Sequence, residues 1–260
     1  MTPSDPDCER KTALVTGAGR RIGRAIALAL AGDGWKVAVH YNRSDAEARA
    51  VVEEIAEAGG RSVPVRGDLG VDADVAALID RAAAEIGPLT CLINNASVFE
   101  RDEVMTTTRA GWDRHMQVNL WAPFMLTQAL VSQLPDEAGG NVINILDQRV
   151  WNLTPHFTSY TVSKAALWTL TRTMALALAP RVRVNAVGPG PTLPSPRQTE
   201  AQFARQWSGL PLARPASPEE IADAVRFLLD APSLTGQMIA VDSGQHLGWG
   251  SAVAAATTEE

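Results

Sequence analysis

The sequence predicts an α/β fold, a single doubly wound parallel sheet of about seven strands with helices on both faces. Three observations predict it. Short apolar runs alternate with stretches whose apolar residues recur every three to four positions, the rhythm of right-handed strand–helix–strand crossovers. A glycine-rich turn separates the first apolar run from the first helical stretch. The length of 260 residues, 46% hydrophobic, suffices to cover both faces of one such sheet without a second domain.

Composition narrows the function. With 23 Lys and Arg against 29 Asp and Glu, the formal charge of -6 disfavours a nonspecific nucleic-acid or anionic-membrane binder and leaves small molecules, or copies of the chain, as partners. Only Cys8 and Cys91 are present, and the four histidines, His115 among them, lack ligand spacing, so neither a disulfide framework nor a metal site is expected. No apolar run approaches a membrane span, and Met1 to Arg10 lacks the pattern of a secretory signal. A soluble, unprocessed, cytoplasmic protein is the expectation.

Met1 to Arg10 reads as a disordered lead-in, residues 11–248 as the folded domain and 249–260 as a tail. Thr12 to Thr16 is a buried strand, followed by the turn Gly17 to Gly23 and a helix carrying Ile22, Ile26 and Leu30. Glycines let backbone approach a pyrophosphate, and a helix N-terminus offers unpaired N–H groups, so this is a Rossmann-type dinucleotide turn. Lys36 to Tyr41 is the second strand. About 20 residues past the glycines, where an acid would hold the ribose hydroxyls of NAD, stands Arg43, with His40 and Ser44 nearby. Arginine attracts a 2′-phosphate that an acid would repel, which points to NADPH. Ser44 to Glu47 also reads as a capping box opening the second helix, and the two readings are compatible.

Arg61 to Arg66 is the third strand, and Asp68 after it would cap the next turn. Val75 to Ile86 is an amphipathic helix stopped by Gly87-Pro88. Thr90 to Ile93, the fourth strand, runs into Asn94-Asn95-Ala96-Ser97-Val98-Phe99. Val142 to Leu146 is a buried strand that places Asp147 at its carboxyl end, where ligand sites of open α/β sheets lie. Tyr160 and Lys164 are four apart and share one helical face. A fixed ammonium there would favour phenolate and make the phenol a usable acid near neutrality.

Val182 to Val187 is the sixth strand, before Gly188-Pro189-Gly190-Pro191-Thr192. The proline-rich segment 191–216, which contains Phe203 and Trp207, reads as a mobile substrate lid with a short helix. Ser217 to Glu220 is a capping box opening another helix, and Met238 to Asp242 is the seventh strand.

Thr16 to Gly23, Asn94 to Ala96, Asn119, Tyr160 with Lys164, and Pro189-Gly190 together resemble the short-chain dehydrogenase/reductases, with Arg21 where a glycine is usual. The finer resemblance is to pteridine reductases, including dihydromonapterin and dihydrofolate reductases of this fold. It rests on Arg21, His40-Tyr41-Asn42-Arg43-Ser44, Ser97, Phe99 and Asp147, thirteen residues before Tyr160.

The resemblance implies a catalytic set of Asp147, Tyr160, Lys164 and Asn119, with Asn119 bending its helix. It implies NADPH held by Gly17, Arg20, Arg21, Ile22, Gly23, residues His40 to Ser44, Asp68, Leu69, Asn95, Ala96, Ser97, Tyr160, Lys164, Pro189, Gly190 and Thr192. A pterin or folate would meet Arg21, Ser97, Phe99, Asp147 and Tyr160, with Phe99 stacking on it, and a homotetramer is expected. The wider family has serine at Asp147. A carboxylate does not donate unless protonated, which disfavours simple ketones and suits a heterocycle needing a ring nitrogen protonated. A carbonyl reductase and a catalytically silent NADPH-binding sensor are the alternatives.

Overall fold

Seven parallel strands form one sheet in the computed structural model, which describes residues 11–248; the two expected tails lie outside the described residues. The strands are β1 (Thr12–Val15), β2 (Lys36–Tyr41), β3 (Arg61–Arg66), β4 (Cys91–Asn94), β5 (Gly140–Ile145), β6 (Val182–Pro189) and β7 (Met238–Val241). Their order is β3-β2-β1-β4-β5-β6-β7, with every neighbouring pair parallel. Because both faces are covered, the central strands read as unbroken apolar runs rather than as alternation. The order reverses between β1, paired Val15 to Ile93 with β4, and its other neighbour β2, so a crevice opens beyond their carboxyl ends.

One face is covered by α1 (Arg21–Gly32), α2 (Asp45–Glu57) and α8 (Pro218–Asp230), through Ile26, Leu30, Val51, Ile55, Ile221 and Val225. The other is covered by α3 (Asp72–Ile86), α5 (Ala122–Gln133) and α6 (Thr158–Leu178), through Leu78, Ile79, Leu126, Leu130 and Met174. Each such buried side chain contributes about 1.5–3 kcal/mol. A buried polar chain crosses the sheet as well: Asn94 donates to Asn144, and Asn144 donates to Thr171 on α6 at 2.9 Å each. It ties α6 to the central strands.

Residues 109–133 form a helix that the sequence marked only at Asn119: α4 (Arg109–Met116), a π turn (Gln117–Trp121) and α5. Segment 191–216 contains the expected helix, α7 (Glu200–Ser208), opened by a Thr199–Gln202 capping box, and Ser217 with Glu220 caps α8 as its sequence indicates. One expectation is corrected. Ser44 begins α2, but its backbone is not in the extended capping conformation and its hydroxyl caps nothing, while Glu47 lies 3.7 Å from Arg20. Among the described residues no helix is long and apolar enough to cross a membrane, and Cys91 is a buried free thiol.

Candidate active site

The glycine-rich turn is built around two positions where a side chain does not fit. Gly17 has φ +63, and a Cβ on Gly23 would stand 2.3 Å from the Gly17 carbonyl oxygen. The turn is fastened to the next strand end by Thr16, whose hydroxyl accepts the N–H groups of Asn95 (2.9 Å) and Ala96 (3.0 Å). The Asn95 amide donates back to the Thr16 carbonyl at 2.8 Å. Arg21, in the usual glycine position, indeed has a left-handed φ of 54. That conformation is costly for arginine, so the surrounding contacts must hold it.

His40 requires a correction. Its Nδ1 accepts the Gly17 N–H at 3.0 Å and its Nε2 donates to the Gly67 carbonyl at 3.1 Å, which fixes one neutral tautomer. Burial pushes its pKa down to about 4. Both nitrogens are spent inside the protein, so His40 braces the turn instead of reaching a 2′-phosphate. Tyr41 is also buried, and its phenol is held by Asp45, which raises its pKa. Asn42, Arg43 and Ser44 stay on the wall of the groove, and Arg43 is exposed and without a carboxylate partner among the described residues.

A groove of about 1780 Å³ runs along the crevice. Its lining includes Gly17, the turn from Arg20 to Gly23, residues 40–44, Asp68, Leu69 and residues 95–97. Asp68 closes its own turn by accepting the Gly70 N–H at 2.9 Å. A second cavity of about 270 Å³ is lined by Phe99, Asp147, Tyr160, Lys164, Pro189, Gly190 and Thr192. The two share Arg21, Ile22, Asn95 and Ser97. Residues read from sequence as cofactor and substrate contacts therefore converge at one seam.

In the smaller cavity the Tyr160 hydroxyl donates to Asp147 Oδ2 at 3.0 Å. Asp147 Oδ1 accepts the Arg149 N–H at 2.7 Å, capping a short 3₁₀ turn that aims the carboxylate. Lys164 donates to the Ile145 carbonyl at 2.8 Å, and its ammonium lies 5.9 Å from the Tyr160 ring centre. Burial lowers its pKa from 10.5 to about 8, although Asp147 pulls the other way. Helix α6, which carries both residues, starts from Phe157 in a left-handed conformation without its own side-chain cap. Asp102 supplies one from a distant loop, accepting the Ser159 N–H at 3.2 Å and its hydroxyl at 2.5 Å.

Asn119 lines neither cavity. It sits in the π turn, accepts the Val98 N–H at 2.8 Å, and donates to the Val98 carbonyl at 2.9 Å and to Ser163 at 3.1 Å. Such a clamp joins the loop after β4 to α6, and the Ser97 hydroxyl lies 3.1 Å from its Oδ1.

Phe99 was read as a stacking platform, and a ring already stacks on it: Phe157, at 4.4 Å and 8°. Tyr160 meets the Phe99 ring at 4.6 Å and 69°, and Arg197 of segment 191–216 lies over it, 5.4 Å from its centre. Arg21, expected at phosphate and at a pterin edge, donates to the carbonyls of Leu193 (3.1 Å) and Pro194 (2.9 Å). Sequence reasoning missed Phe157, Arg197 and Asp102. None carries a local signal, since each matters only through a partner far along the chain.

A family model described as enoyl-(acyl carrier protein) reductase matches residues 17–246. The FolM alternative dihydrofolate reductase 1 of Brucella suis, crystallised with NADP, is 49% identical, with a TM-score of 0.91 over 94% of this chain and 98% of that one. The angucycline C-6 ketoreductase LanV with bound NADP is 37% identical, with a TM-score of 0.86 over 92% and 96%. A 3-oxoacyl-[acyl-carrier-protein] reductase of Synechocystis sp. is 35% identical over 90% of this chain and 96% of that one. With a matching model and relatives that span almost their whole length, the chain belongs to the short-chain dehydrogenase/reductase family.

Proposed function

We propose that the protein is an NADPH-dependent reductase of the C=N bond of a dihydropterin or dihydrofolate. The observation that carries this reading is the 3.0 Å hydrogen bond from Tyr160 to Asp147 inside the small cavity. A carboxylate there accepts instead of donating, so it offers little to a ketone oxygen. Together with the phenol it forms a proton-sharing pair that suits a ring nitrogen gaining charge as its carbon is reduced. The 49% identity to the Brucella suis FolM protein supports the same substrate class.

The groove fits the cofactor: Gly17 and Gly23 leave a bare backbone concavity at the N-terminus of α1, and Arg43 offers a guanidinium without a carboxylate partner among the described residues. Bound NADPH supplies the hydride. The chain's residues do the rest. Lys164 and Asn95 hold the ribose and nicotinamide side, Asn119 fixes the loop between the two cavities, and Tyr160 gives up its hydroxyl proton while Asp147 steadies the pair.

A panel of dihydropterins, dihydrofolate and ketones, each with NADPH and with NADH, tests the reading by the loss of nicotinamide absorbance. Turnover of a dihydropterin with NADPH is expected; oxidation with ketones alone would assign the carbonyl reduction that LanV's name describes, and none with any substrate would leave a silent binder. In the same assay Arg43→Ala should raise the KM for NADPH at least tenfold and scarcely change that for NADH, because only the former carries the 2′-phosphate.

The pH profile follows from Lys164. Its folded pKa of about 8 lies below its ordinary 10.5, so between these values the unfolded chain binds more protons and the residue's contribution to stability rises with pH. The activity moves in the opposite direction. As pH climbs through 8 the ammonium that favours proton release from Tyr160 is lost, and kcat for reduction should fall. A flat rate through that range, measured at saturating cofactor, would contradict the assignment.

A further inference from the structure

Arg197 stands beside the small cavity, over the ring of Phe99, which lines it. The lid places it between Ser195 and Gln198, both of which line the cavity. Its guanidinium lies 5.4 Å from the centre of the Phe99 ring and donates to the Phe99 carbonyl at 3.2 Å. The carboxylates of the facing loop are taken. Glu100 pairs with Arg114 at 2.6 Å, and Glu103 pairs with Arg101 and His156 at 3.0 Å each. Arg197 is exposed and has no carboxylate partner among the described residues.

Resting on the pterin reading above, we propose that Arg197 recognises the anionic tail of the substrate, so that the site favours a dihydropterin bearing a carboxylated side chain over one bearing a neutral polyol. A ring lying beside Asp147 and Tyr160 points any long substituent out through the mouth, past Phe99. There the guanidinium is already oriented by an aromatic face and a carbonyl, so less rotamer freedom is lost when it closes on a carboxylate. Its charge attracts that tail from solution and its planar fork can bond it bidentately. A neutral polyol gains neither.

The test compares dihydrofolate, with its glutamate tail, and dihydrobiopterin, with its neutral tail, in the full-length chain with NADPH. Arg197→Gln should lower kcat/KM for dihydrofolate about fivefold through KM, with dihydrobiopterin kept within about twofold; Arg197→Glu should lower dihydrofolate further still and leave dihydrobiopterin the better substrate. Raising the salt should shrink the native preference and leave the Arg197→Gln values level. Equal losses on both substrates would reduce Arg197 to a prop of the lid, and no loss on either would remove it from recognition; both results overturn the proposal. Failure of the native chain to turn over either compound would instead refute the pterin reading itself, and this inference with it.

Discussion

Tyr160→Phe is expected to lower kcat for dihydropterin reduction by about 10²–10⁴, the usual loss when a positioned proton donor is removed. NADPH affinity should fall far less than kcat, and the far-ultraviolet circular dichroism should not change. The fold tolerates the loss because the ring keeps its edge contact with Phe99 and its burial, and only the oxygen goes. Asp147 then lacks the phenol but keeps the Arg149 N–H and some access to water, so no buried charge is stranded. Single-turnover oxidation of bound NADPH, followed by absorbance, separates this loss from any change in binding. A variant that turned over at the native rate would show that the proton comes from elsewhere.

Asp147→Ser should lower kcat/KM for dihydropterins by about 10² while giving measurable turnover of ketones. Serine is a clean replacement at this place. It is a good cap, so its hydroxyl can still accept the Arg149 N–H and hold the 3₁₀ turn. What changes is the direction of the hydrogen bond, since a hydroxyl can donate to a carbonyl oxygen and an ionised carboxylate cannot. The substitution therefore exchanges one substrate class for the other without altering the cofactor groove. Assayed on the substrate panel above, an unaltered profile would mean that the carboxylate has no part in choosing the substrate.

These two variants mark what a close reading of residues can reach. The strand order, most of the helices, the glycine-rich turn, and the Tyr160–Lys164 helix were legible because each depends on periodicity or on neighbours within one turn of chain. Asp147 was legible too, as the first polar side chain beyond a buried apolar strand. His40 was misread for a physical reason. Three residues before Arg43, it looked like a member of the same anion site, but it is buried near the end of β2, where Gly17 and Gly67 consume both of its nitrogens.

The sequence by itself determined the fold class, the family resemblance and the residues available for proton transfer, because those are written in local spacing and residue chemistry. Only the tertiary structure decided which groups meet. Phe157 stacks on Phe99, Asp102 caps the helix of Tyr160 from 57 residues away, and Arg197 reaches the Phe99 carbonyl across 98 residues of chain. Such contacts depend on how segment 191–216 and the loop after β4 pack beyond the carboxyl ends of the central strands, and no local pattern encodes a partner that packing alone brings near.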